Sequence, residues 1–272
     1  MPIKKDASGK RWVEMELLVP GTPEQVWRAL ATGPGYAAWF TKAQIQEAVG
    51  GTLRFDFGEG TVSTGEVTTW EPPERFCYVE NEWEAGAPPV ATEITITSRS
   101  GGRCVMRMVH SLFSATDDWD DQVEGFEAGW PSYFAVLRAY LEHFPSAEAA
   151  SFMVMVPANT DHRATWRRLA ESLGLAGADV GEERSASPLH EAWTGVVEHI
   201  HQDPVQRYAL LRLSRPSAGL ALIGTHQKGD ATTVSVCRYF YGEGAEALAA
   251  AGEAPWRNWL TKTFSENLPG RG

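Results

Sequence analysis

The chain has 272 residues, 43% of them hydrophobic and 22% charged, with a formal net charge of −11. That length suits two domains of ordinary size, each able to bury a core, and the composition is that of a soluble globular protein. No apolar run approaches the thickness of a bilayer and no basic stripe is visible, so neither membrane insertion nor a nucleic-acid partner is expected.

The N-terminus, MPIKKDASGK, lacks the apolar core of a signal peptide. Cys77, Cys104 and Cys237 are isolated, with no CxxC pair. Such cysteines suit a reducing compartment and argue against a structural zinc site, so a cytoplasmic protein is expected. The acidity is uneven: residues 1–145 carry 12 Lys+Arg against 21 Asp+Glu, net −9, and residues 146–272 carry 12 against 14, net −2.

In chain order, Arg11 to Val19 reads as a strand broken by Pro20-Gly21. Thr22 then offers an N-cap, Pro23 the first helical position and Gln25 the return half of a capping box. Val26, Trp27 and Leu30 form the buried side of that short helix. Gly33-Pro34-Gly35 predicts a turn, and Tyr36 to Phe40 a second short helical piece. Strands follow. Leu53, Phe55 and Phe57 alternate with Arg54 and Asp56, which implies a sheet with one wet face. Thr61 to Trp70 is the next strand. Arg75 to Glu84 follows, with Cys77, Val79, Asn81 and Trp83 assigned to its inner side. Ala91 to Ser98 places Ile94 and Ile96 inward, and Arg103 to Ser111 places Cys104, Met106, Met108 and His110 on one face.

The first half ends in Gly125 to Phe144, where Phe126, Trp130, Tyr133, Phe134, Leu137, Tyr140, Leu141 and Phe144 recur at steps of three and four. This is one aromatic face of a helix, wide enough to lie across a sheet. Pro131 predicts that the helix starts near it or is kinked there. Such a helix either plugs a half-open sheet or closes a ligand cavity. A strand, two short helices, a meander and a long helix make an α+β domain.

The second half repeats the first. Leu18-Val19-Pro20, Thr22 and Trp27 recur as Met155-Val156-Pro157, Thr160 and Trp166. Gly65-Glu66-Val67 recurs as Gly195-Val196-Val197, Cys104 to Ser111 as Val234 to Tyr241, and Trp130 to Phe134 as Trp256 to Leu260. The expected organisation is a tandem duplication: domains 1–145 and 151–272, joined by the small, polar linker 146–150. In the second copy the aromatic segment 37–52 is replaced by the Gly/Ala/Ser/Glu-rich stretch 174–187, and its long helix is expected to break at Gly252 and restart at Pro255.

The first half resembles the helix-grip superfamily (START-like, SRPBCC), in its bacterial branch similar to the C-terminal domain of the heat-shock-protein-90 ATPase activator. The resemblance rests on Thr22-Pro-Glu-Gln-Val-Trp27, Trp39-Phe40, Gly65-Glu-Val67, Pro72-Pro-Glu-Arg75-Phe76 and Gly129-Trp130. It implies two helix-grip domains, the second degenerate, each an antiparallel sheet wrapped around a long C-terminal helix with a cavity between. The family's motifs here are structural, so it supplies no catalytic residue and no cofactor.

Strand parity and the helix face together predict a cavity lined by Trp39, Phe55, Trp83, Met106, Met108, His110, Phe126, Trp130 and Phe134, with Asn81 and His110 as the polar groups that orient an apolar ligand. The competing reading, which the residue types favour, is a pair of satisfied polar residues at the sheet rim. Two metal readings are weak. Asp117-Asp118-Trp119-Asp120-Asp121 lacks the glycine and terminal Glu of an EF-hand loop, and negative charge also suits a helix N-terminus. His199 and His201, with His190 and His226, have no third ligand at a convincing spacing. No G-x-S-x-G, P-loop or G-x-G-x-x-G followed by helix is present. The expected partner is a small hydrophobic molecule. A protein-interaction module of the chaperone-cofactor kind is the alternative, and a cyclase using His110 with an acidic residue the second.

Overall fold

A computed structural model of the chain describes residues 4–6, 10–58, 60–81, 83, 86–113, 119–187 and 192–266, with the backbone alone for residues 113 and 120–128. It divides into two compact units, Met1–Ala147 and Glu148–Gly272.

In the first unit, apolar and polar residues alternate along β2 (Lys10–Pro20), so Val13, Met15 and Val19 are buried while Glu16 and Leu18 face out. Thr22 then starts α1 (Pro23–Ala31) through a complete capping box: Gln25 N donates to Thr22 Oγ1 at 3.3 Å, and Thr22 N donates to Gln25 Oε1 at 2.9 Å. Thr22→Ala leaves that first donor to water, and is expected to lower the urea stability of this unit by about 1 kcal/mol. An unchanged midpoint would mean that burial of Val26, Trp27 and Leu30 alone fixes the helix.

Where the sequence predicts a turn, the chain instead forms a second helix, α2 (Gly33–Ala37), whose Gly35 N donates to Thr32 Oγ1 at 3.1 Å. Gly35 is there for contact, not for flexibility. A Cβ on it would lie 1.8 Å from the Arg28 carbonyl oxygen, so only glycine lets α2 fold back onto α1.

The remaining strands are β1 (Lys4–Lys5), β3 (Lys42–Ile45), β4 (Thr52–Asp56), β5 (Val62–Glu71), β6 (Arg75–Glu80), β7 (Val90–Arg99) and β8 (Arg103–Phe113). With β2 they form one antiparallel sheet in the order β1-β2-β8-β7-β6-β5-β4-β3. The two strands that sequence reading missed, β1 and β3, are the short edge strands, whose polar composition carries little periodic signal. The long helix α3 (Asp120–His143) packs against β2 and buries Trp130, Phe134, Leu137, Tyr140 and Leu141. It begins well before Pro131 and runs through it. Ser132 Oγ, at 2.9 Å, donates to the Gly129 carbonyl one turn back.

The second unit repeats the plan. Its sheet runs β10 (Glu183–Ala186), β11 (Trp193–Gln202), β12 (Gln206–Arg215), β13 (Gly219–Lys228), β14 (Ala231–Tyr241), β9 (Ala149–Ala158). Thus the predicted linker is already strand from Ala149. Helix α4 (His162–Ser172), capped by Asp161 on Ala164 N at 3.0 Å, stands where α1 does in the first unit. Helix α5 (Ala245–Leu260) passes unbroken through Gly252 and Pro255 and ends in a π-helical turn, Thr261–Ser265. The expected break at Gly252 is absent because that glycine serves packing: a Cβ would sit 2.8 Å from the Phe152 ring on β9. Phe152, Trp166, Leu211, Phe240, Trp256 and Leu260 belong to one continuous core. Among the described residues no helix is long and apolar enough to cross a membrane.

Candidate functional site

The inner face of the first sheet combines aromatic walls with a row of buried polar groups. On β8, Met106, Met108 and His110 point inward, and each is at most 4% exposed. His110 pairs with Thr92 on β7, and Thr92 Oγ1 lies 2.8 Å from His110 Nδ1. Tyr78 on β6 pairs with Thr92 in turn. Two residues on, Glu80 ends β6, and Ser63 Oγ on β5 donates to Glu80 Oε1.

Rings from three elements enclose this row. Trp39, fully buried just after α2, donates from Nε1 to the Ala29 carbonyl at 2.8 Å, which fixes the indole. Its ring stacks on Tyr36 at 5.5 Å and faces Trp130 and Phe134 of α3 at 6.1 and 6.3 Å. Phe55 of β4 meets Tyr36 edge-on at 4.9 Å. His110 stacks on Trp130 with centroids 5.3 Å apart and planes 15° from parallel. These are the separations at which aromatic pairs attract beyond simple burial.

Burial sets the charge state of the row. Desolvation, only partly offset by the hydroxyl of Ser63, pushes the Glu80 carboxyl up to about 6, although the residue keeps some exposure. Desolvation alone pulls His110 down to about 4. Both tyrosine hydroxyls are pushed up, first by burial. The Tyr36 hydroxyl lies beside that of Tyr78 and feels the Glu80 charge, yet makes no hydrogen bond of regular geometry among the described residues. At neutral pH the row therefore holds a carboxylate, a neutral imidazole and neutral phenols.

Residues 20–142, the span that contains all of these groups, match the family described as Activator of Hsp90 ATPase homolog 1-like protein. That span is an activator-like helix-grip domain. No curated protein matches the chain. Among solved structures, DynU16 from the dynemicin biosynthetic locus is 19% identical with a TM-score of 0.44, covering 93% of this chain and 94% of its own. The di-domain ARO/CYC BexL from the BE-7585A biosynthetic pathway is 14% identical with a TM-score of 0.45, covering 93% of each chain. MLL2253 from Mesorhizobium loti is 27% identical with a TM-score of 0.46, covering 49% of this chain and 98% of its own.

Within the activator-like domain, seven of the ten residues singled out in the sequence come together: Trp39, Phe55, Met106, Met108, His110, Trp130 and Phe134. The side chain of Phe126 lies outside the described residues. Asn81 and Trp83 are elsewhere. Asn81 is exposed beyond the end of β6, its N–H donating to the Thr64 carbonyl at 3.2 Å. Trp83 sits in the following loop, with Nε1 donating to Pro88 O at 2.8 Å and its ring 5.7 Å from Trp119. The parity of this strand is the reverse of the expected one. Phe76 and Tyr78 are its large rings, and they pack inward beside Trp27, Trp70 and Phe55. Cys77 takes the outer side. Glu80 therefore follows Tyr78 to the inner face. Ring size along F-C-Y was the available signal; a carboxylate on the same face concealed it.

The second unit offers a comparison at the same register. Gly65 pairs with Glu80 and Val67 with Tyr78; Gly195 pairs with Leu213 and Val197 with Leu211. Likewise Val13 pairs with His110, and Ala150 with Phe240. At the positions of Glu80, Tyr78 and His110 the second unit thus has Leu213, Leu211 and Phe240, all buried in its core.

The two metal readings gain no ligand set. Asp117 and Asp118 lie outside the described residues, as do the side chains of Asp120 and Asp121. His199 and His201 flank the Tyr208 ring at 5.6 and 5.3 Å, with His201 Nε2 2.7 Å from Asp203 Oδ2. His190 lies outside the described residues, and His226 is half-buried. Among the described residues no three His, Cys, Asp or Glu side chains are grouped to hold an ion.

On the outer face of the activator-like domain, a groove of about 480 Å³ runs past Trp12, Cys77 and Val109. A chain of ion pairs crosses it, Lys4–Glu14–Arg107–Glu93–Arg75. Arg107, then Lys4, hold the Glu14 carboxyl down to about 2. All five partners are partly exposed, so each pair adds little stability.

Proposed function

We propose that the activator-like domain binds a small apolar or aromatic molecule between the inner face of its sheet and the rings of α2 and α3, without transforming it. The observation that carries this reading is the buried polar row set in an aromatic lining. A core that served stability alone would place apolar side chains there, as the second unit does at the same register. Buried polar groups cost stability unless satisfied, and a few of them in an apolar pocket are what orients a ligand.

The test is saturation with 2-(1-naphthyl)ethanol, followed by amide chemical shifts of the full chain. The expected result is one saturable site, with the largest shifts at Tyr78, Thr92, His110 and Trp130. Shifts centred on the outer groove, or none that saturate, would sink the reading.

A second reading has one observation in its favour. Glu80 and His110 lie on one inner face as a carboxylate and a neutral imidazole, two proton acceptors of the kind a cyclase-type enzyme would use. A bound host molecule recovered with altered mass after incubation would favour it. The chaperone-cofactor alternative draws on the family description alone and stands behind both.

A further inference from the structure

Among the described residues the Glu80 carboxylate has no positive partner. Every Lys and Arg of residues 1–147 lies among the described residues, and none makes an ion pair or hydrogen bond with it. Its Oε1 accepts from Ser63, and that hydroxyl is the one group that favours its charged form. The other buried cation of the inner face, Arg11, lies three strands away through the pairs Arg11–Leu112, Leu112–Val90 and Val90–Glu80. That is about 14 Å along the sheet, and Arg11 has interactions of its own. A buried carboxylate is normally paired.

What surrounds Glu80 is suited to a cation. The hydroxyl oxygens of Tyr36 and Tyr78 lie beside one another and close enough for the Glu80 charge to act on both, and that of Tyr36 is buried with no hydrogen bond of regular geometry among the described residues. The rings of Tyr36, Trp39 and Trp130 form a packed run that ends against His110 of this row, and aromatic rings attract cations most strongly where water is excluded.

We propose that the inner site takes a protonated amine carried on an aromatic or apolar body, with the ammonium on Glu80 and the body against the rings of Tyr36, Trp39 and Trp130. This rests on the proposed ligand site and adds the ligand's charge to it. The ammonium donates to Glu80 Oε2 while Ser63 holds Oε1, and it replaces the missing counter-charge. The neutral His110, held by Thr92, does not repel it.

Calorimetric titration of the full chain at pH 7.5 with 2-(1-naphthyl)ethylamine and with 2-(1-naphthyl)ethanol tests this, because the pair differ in the amine alone. The amine is expected to bind at least tenfold more tightly. In Glu80→Gln, whose amide can still accept from Ser63, the preference is expected to vanish while the alcohol's affinity stays within about twofold. Equal affinities in the native chain, or a preference that survives Glu80→Gln, would overturn the proposal and leave the ligand site standing. If neither compound binds, both fall together.

Discussion

Trp39→Ala is expected to cost the first unit about 3–5 kcal/mol, the range for emptying a large aromatic site in a packed core. Trp39 is fully buried and touches Tyr36, Phe40, Trp130 and Phe134, so its loss opens a void between α2, α3 and the sheet. Its Nε1 also satisfies the buried Ala29 carbonyl. Trp39→Phe separates the two effects. It keeps most of the ring volume but strands that carbonyl, and should cost about 1–3 kcal/mol. The chain carries its own reporters. Cys77 and Cys104 are buried in the first unit and Cys237 in the second. Thiol labelling against urea should therefore show Cys77 and Cys104 reacting at lower denaturant in Trp39→Ala, with Cys237 as the reference. If both thiols keep their native midpoint, Trp39 is not a support of the inner wall.

The second large effect is a pH dependence of opposite sign at β6 and β8, the two strands on either side of β7. The Glu80 carboxyl is raised from 4.5 to about 6 by folding. Its contribution is full below pH 4.5, where folded and unfolded chains are both protonated, and is lost as pH rises through 6. The loss at pH 8 is about 2 kcal/mol. His110 is lowered from 6.5 to about 4. Its contribution is full above pH 6.5 and is lost as pH falls through 4, by about 3 kcal/mol. Glu80→Gln should therefore stabilise the first unit by about 2 kcal/mol at pH 8 and have no comparable effect at pH 4.5. His110→Gln should remove the acid-side loss while giving up the bond to Thr92 at all pH values. Urea midpoints at pH 4.5 and 8 decide it. A Glu80→Gln advantage of the same size at both values would mean that the carboxyl titrates alike in the folded and unfolded chains.

Most of the scaffold was legible because it rests on period and punctuation. The alternation in β2 and β8, the capping box at Thr22 and the aromatic helix face each had a single physical solution. The tandem plan was legible because both copies keep those signals in one order. The exceptions were local. Gly35 and Gly252 read as breaks, yet each is a point of close packing, a distinction that depends on a neighbour distant in sequence or on another helix. Pro131 read as a start or a kink and Pro255 as a restart, yet each lies inside its helix. The site was half legible. Trp39, Trp130 and His110 follow from the helix face and from the parity of β8. Tyr78 and Glu80 did not, because parity fixes which residues share a face and leaves open which face is inside. Hydrophobicity usually settles that choice, and here a functional-looking carboxylate sat on the buried side and inverted it.

The apolar residues that replace this row in the second unit have a consequence for how the duplicated chain is to be understood. Two copies of one scaffold differ at three matched inward positions. Leu213, Leu211 and Phe240 extend the apolar core of the second copy, whereas Glu80, Tyr78 and His110 set titratable groups on the inner face of the first. On the proposed function, recognition and self-sufficiency would be divided between the halves of a single polypeptide, one copy complete on folding and the other completed by its ligand.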